Sequence, residues 1–330
     1  LVGSEMCIRD RLRNFKKTNK DIRLETKEIH TVMSNIIETK FLEIQDMILD
    51  GLSSLESKKN RKPIVDNWKS KIGKGQTCVI ENGSVFEKAV VTFSSVSGKN
   101  LPTSSGMSAN INKIHKFKAM GVSVICHPKN PKAPTSHFNV RTFMIFDKKG
   151  LQNWWIGGGC DLTPFLPYKS DITLWHRSLK SMFDPLNKTF YKKFAKECDK
   201  YFFLPHRKER RGVGGVFFDN LKYKEHLDSL DLLECLGKEY TQTYSKILKR
   251  RVSEKYSKDQ KLFQQIRRGR YAEFNLLHDR GTKFGLESGG RVKSILSSMP
   301  PSTSWTYEMP KELKKYETRL LKILKESWVV

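Results

Sequence analysis

From Ile29 onward, apolar residues fall at Val32, Met33, Ile36, Ile37, Phe41, Ile44 and Ile48, a helical spacing that runs to Gly51, a residue suited to the end of a helix. This predicts an amphipathic helix. A polar linker over 53–62 leads to two β-rich runs, 78–80 and 85–93, joined by the turn signal Glu81-Asn82-Gly83, the pattern of a hairpin. Short strands are predicted over 121–126, 138–146, 154–156, 215–218 and 272–277. Helical spacing recurs over 189–203 and 227–248, and Leu313, Tyr316, Leu320, Leu324 and Trp328 predict a closing helix. The strands come in consecutive runs, with helices mainly toward the ends and in two central insertions. That order predicts an α+β fold, an antiparallel sheet covered by helices, rather than βαβ alternation. No internal repeat breaks the chain, so 1–52 read as an N-terminal extension carrying the first helix and 53–330 as one domain. Residues 1–11 lack periodicity and resemble translated adapter sequence, and they are set aside.

Composition narrows the class without choosing a function. The 330 residues are 38% hydrophobic, 29% charged and 11% aromatic, which excludes wholesale disorder. No apolar run approaches the ~18 to 20 residues a membrane-spanning helix needs. Against 35 acidic residues stand 61 Lys and Arg, a formal charge of +26, which points to an anionic partner: nucleic acid, a membrane surface or an acidic small molecule. Six cysteines are scattered with no CxxC pair, a pattern of reduced thiols in a cytosolic type of compartment. With no secretory signal and no clean acid-poor transit peptide, cytoplasm is the default, an organellar location staying open.

Four blocks carry candidate chemistry. In SVICHPKNPKAPTSHFNVRTF, period-two alternation puts Ser123 and His127 on one face of a strand, and His137, Asn139 and Arg141 on one face of the next. Those last three can offer a proton, a carboxamide and a guanidinium fork to one ligand. WWIGGGCDLTP sets three glycines beside Asp161, where the backbone either admits a flat ligand or makes a wide turn. HRKERRGVGGVFFDN places Arg207 and Arg211 ahead of a strand. RRGRYAEFNLLHDRGTKFGLESGGRVKSILSSMPP reads as strand, turn, turn and a helix starting near Val292. Neither glycine run has the pattern of a phosphate-binding loop. Arg141, Arg207, Arg211, Arg280 and Arg291 form the kind of set a polycarboxylate needs. A nucleic-acid binder would use the charge and a metal-dependent oxygenase would use the histidines; both remain alternatives on the residues alone.

In this order the four blocks closely resemble the oxygen-dependent coproporphyrinogen III oxidases, over about 64–305. The resemblance implies a single domain with a large antiparallel sheet flanked by helices on both faces, working as a homodimer. It implies conversion of two propionates of coproporphyrinogen III to vinyls with molecular oxygen as co-substrate. No organic cofactor and no obligatory metal, no specific nucleic acid and no transmembrane segment are expected. By motif position, His137 matches a proton donor and Asp161 an acid facing the pyrrole N–H groups. Ser123, Asn139, Arg141, Gly289, Gly290 and Arg291 match substrate contacts, and Arg207, Arg211 and Arg280 match arginines of the pocket. His127, His137, His176 and His206 match four histidines sometimes assigned to a divalent metal, a role the spacing argues against because no helical pair gathers them.

Overall fold

In the computed structural model, residues 19–60, 62–99, 116–147, 150–287 and 289–330 are described; the segment 1–11 lies outside them. The first helix, α1 (Asn19–Ser53), starts earlier than its apolar spacing suggests and buries Ile37, Phe41, Ile44, Ile48 and Leu52. Six strands follow: β1 (Ile64–Ser70), β2 (Gly73–Glu81), β3 (Phe86–Gly98), β4 (Lys116–Pro128), β5 (Thr135–Asp147) and β6 (Gly150–Thr163). Next come α2 (Lys169–Phe183), α3 (Phe190–Tyr201), the short β7 (Phe203–Leu204) and β8 (Glu209–Arg210), and β9 (Gly215–Leu221). The chain closes with α4 (His226–Arg251), α5 (Lys258–Leu277), α6 (Arg280–Glu287), α7 (Val292–Leu296) and α8 (Lys314–Lys325).

One sheet, ordered β1-β2-β3-β4-β5-β6-β9 and antiparallel throughout, organises the molecule, as expected for the α+β class. Alternation along β5 separates its two faces. Phe138, Val140, Thr142 and Met144 are buried toward α1 and α4, where the ring of Tyr240 of α4 packs tilted on Phe138 with centroids 5.0 Å apart. Full burial of such side chains is worth ~1.5 to 3 kcal/mol each. The first helix shares this core: one packed cluster holds residues on both sides of 52/53. The linker that follows is anchored too, because the carboxylate of Glu56 accepts the backbone N–H groups of Ser84, Val85 and Phe86 at the β2–β3 turn.

Two expected elements differ. Residues 272–277 are the end of α5, not a strand. Its buried positions run Phe263, Ile266, Arg267, Tyr271, Phe274 and Asn275, so polar residues hold part of the inward face and hide the helical period. A capping box of Ser257 and Gln260 starts the helix. The glycine triplet makes no turn either; Gly157, Gly158 and Gly159 lie within the 14-residue β6.

Candidate functional site

The other face of the sheet carries the polar residues. Cross-strand register aligns Thr92, Ser123, Asn139, Gly159 and Phe217 in one row, and Ser94, Gly121, Arg141 and Gly157 in the next. Paired residues in antiparallel strands point to the same side, so the middle of this face is a trough floored by glycines and small polar side chains. Ser123, His137, Asn139 and Arg141 share it, as the alternation predicts. A segment from α6 through α7 straps across: Phe284 packs on Phe117 of β4, Ser294 accepts from Thr77 of β2 at 2.9 Å, and the Ser298 carbonyl accepts from His127 of β4.

At one end of the trough His137 lies opposite Asp161 in register, and its Nδ1–H donates to Asp161 Oδ1 at 3.0 Å. That bond fixes the tautomer and leaves Nε2 as the nitrogen able to meet a ligand. Arg211 Nη2 donates to both oxygens of Asp161 at 2.8 Å, and its Nη1 donates to Asn275. The guanidinium lies 4.1 to 4.6 Å from the ring centroids of Phe202, Tyr271 and Phe274. Side-chain exposure is 1% for Asp161 and 2% for Arg211. Burial opposes the charge on Asp161, but Arg211 beside it and the bond from His137 hold its carboxyl below the usual carboxylate range. Burial likewise works against Arg211, and Asp161 more than compensates, raising its pKa. In this structure the buried Asp161 carboxylate is engaged through Oδ1 by His137 and through both oxygens by Arg211. It orients His137.

Along the trough, Arg141 Nη2 donates to Asp219 Oδ2 at 2.8 Å, and Arg280 Nη2 lies 3.3 Å from the same oxygen. Arg141 Nη1 also donates to Asn139. Arg280, at the start of α6, sits over the rings of Tyr201 and Phe217. The remaining arginines do not join this pair. Arg207 is held by Glu273 through two bonds on the outside of α5, and Arg291 pairs with Asp66 of the edge strand β1. Four strand spacings separate β1 from β5, about 19 Å at ~4.8 Å each. Gly289 and Gly290 follow the end of α6. Gly289, with φ +70°, donates to Leu286, and Gly290 donates to Gly285, which together close the C-terminus of α6 as a Schellman motif. Here their amides cap the helix.

The four histidines occupy four settings. His127 is fully buried and donates to Ser298; burial, helped by the charge of Arg268, pushes its pKa down to about 3. His176 donates to Val213 and accepts from Tyr191, with its pKa lowered by burial to about 4. His206 bridges Glu273 and His278 at the surface. Among the described residues no three His, Cys, Asp or Glu side chains are grouped to hold a metal ion, so these residues do not fit the shared metal role.

Two residues of the trough were not singled out from the sequence. Asp219, the fourth residue of the block VFFDN, is the carboxylate on which both trough arginines converge. Asp279, next to Arg280, accepts from Tyr201 through Oδ1 and from Thr282 through Oδ2, so it caps α6 and ties it to α3. The only signal for Asp219 is its place two residues beyond Phe217 on an alternating strand.

A family model described as coproporphyrinogen III oxidase matches residues 36–328. The chain belongs to the coproporphyrinogen III oxidase family. Membership carries an oxidative decarboxylase role in haem biosynthesis, with coproporphyrinogen as a fitting substrate. The matched span begins inside α1, in keeping with the place of that helix in the core. Among the described residues no helix is long and apolar enough to cross a membrane.

Proposed function

We propose that the chain catalyses oxygen-dependent oxidative decarboxylation of coproporphyrinogen III, turning two of its four propionates into vinyls and yielding protoporphyrinogen IX. Each round consumes one propionate, one O2 and one proton, and releases one vinyl, one CO2 and one H2O2. The carboxylate carbon leaves as CO2, a hydrogen leaves the carbon next to the ring, and the electrons go to oxygen. The observation that carries this reading is the trough itself, where a basic clamp, Arg141 and Arg280, lies along the same sheet face as a histidine held by a buried carboxylate. A reduced, electron-rich macrocycle can meet O2 directly, so the protein's share is orientation and proton supply rather than a redox centre. Ser123 and Asn139 line the floor, the arginines hold carboxylates, and His137 Nε2 donates or accepts the proton. The net charge of +26 steers the tetraanion toward the protein.

In this reading neither organic cofactor nor metal is needed, and the protein works in the cytoplasm as a two-fold homodimer. The five described cysteines are free thiols, which supports a reducing compartment. Exposed Leu276, Leu277, Leu286, Val292 and Leu296 support a dimer contact within 271–304. Light scattering at micromolar concentration is expected to give twice the chain mass. The function is tested by supplying coproporphyrinogen III in air to protein stripped exhaustively with chelator. Divinyl product with two CO2 per macrocycle supports it; turnover lost and restored by one specific metal ion overturns the cofactor-free form, and no product from folded protein overturns the assignment.

A further inference from the structure

We infer that Asp219 is a positioning residue that sets the strength of the arginine clamp, by competing with substrate carboxylate for Arg141 and Arg280. This rests on the function proposed above. Two guanidinium groups on the open sheet face converge on one Asp219 oxygen, at 2.8 and 3.3 Å. The carboxylate is itself held in place: its Oδ1 accepts from the N–H of Asn220, whose φ of 53° turns the end of β9 back on the side chain. Opposite lies Gly157. A Cβ there would come within 2.8 Å of Asp219 Oδ1 and 3.1 Å of Arg141 Cζ, so the glycine is what lets the ion pair lie flat across β6. The assembly is half open to solvent, with side-chain exposures of 34% for Arg141, 40% for Arg280 and 17% for Asp219.

Charge counting gives the consequence. Two arginines and one aspartate sum to +1, the charge that balances one propionate. Without Asp219 the clamp would present +2. The reaction discharges a carboxylate into neutral CO2, so every contact that stabilises the anion more than the transition state raises the barrier. An internal carboxylate that shares the guanidinium donors loosens the grip on the substrate carboxylate and keeps the bound anion reactive. Asp219 thus trades affinity for rate, and it does so through the arginines rather than by touching the reacting carbon.

The test separates this role from a structural one. Replacing Asp219→Asn keeps the size and one acceptor oxygen and removes the charge. Binding of coproporphyrin III, the unreactive oxidised ring, is expected to tighten by up to about fivefold, the range of a partly exposed ion pair. KM for coproporphyrinogen III should fall with it, and kcat should fall by a similar factor. Asp219→Glu, which restores the charge, should return both toward the wild-type values. A structural role predicts the opposite sign for binding, weaker rather than tighter. Unchanged or weaker coproporphyrin binding in a folded Asp219→Asn protein overturns the inference. Should that variant fail to fold, Asp219→Ser is read in the same way. Wild-type protein that binds coproporphyrin but gives no product contradicts the proposed function instead, leaving the binding comparison to stand by itself.

Discussion

The same sheet face holds two arginine–aspartate sites of like chemistry and opposite exposure. Asp161 and Arg211 lie under Phe202, Tyr271 and Phe274 with almost no solvent contact, whereas Asp219, Arg141 and Arg280 are partly open to water. Desolvation makes the buried pair costly to assemble and far costlier to break, because removing one partner strands a buried charge. In the open trio either arginine can exchange its partner for a substrate carboxylate at little cost. On the proposed function, the first site holds geometry and the second is the one that takes up ligand.

The contrast would break most visibly at Asp161. Asp161→Ala leaves Arg211 charged and buried and removes the acceptor of the His137 Nδ1–H, so we expect a stability loss of ~3 to 5 kcal/mol in denaturant unfolding together with loss of turnover. A folded variant of near wild-type stability would show that Arg211 is less buried than described. Next in size is a pH effect on the buried side. Unfolded histidine takes a proton near pH ~6.5, whereas burial keeps His176 neutral down to about 4 and His127 down to about 3. Their contribution is complete above pH ~6.5 and is lost as pH falls toward 4 and then 3, of order a few kcal/mol each. Unfolding midpoints measured from pH 7 to 4 should drop steadily, and a flat profile would contradict the burial of both rings. The smallest stability effect belongs to the open side: Arg280→Ala should cost less than ~1 kcal/mol while raising KM. A large stability loss there would erase the distinction between the two sites.

Much of this was legible in the residues, and the gaps have physical causes. Period-two alternation placed His137, Asn139 and Arg141 on one face because β5 is covered on one side and open on the other. The same rule fails at β1, where Ile64 and Val65 are exposed at the sheet edge and leave no apolar stripe to read. It misreads α5 because Arg267, Arg268 and Asn275 face inward, satisfied by Glu209, Glu87 and Arg211. The resemblance singled out Asp161, but its burial depends on Arg211, fifty residues away and brought in by the β7–β8 corner. Asp219 was overlooked for a similar reason: what makes it a site is the meeting of Arg141 from β5 and Arg280 from α6, and no local pattern encodes that meeting.

The central claim is that the trough orients a reduced tetrapyrrole for direct reaction with oxygen. Its most direct test is to mix the protein with coproporphyrinogen III under strict anaerobiosis, follow vinyl groups and released CO2, and then admit oxygen. The account predicts binding without product until oxygen enters, and then CO2 and H2O2 in equal amounts. Vinyl product formed equally well before oxygen is admitted would contradict it.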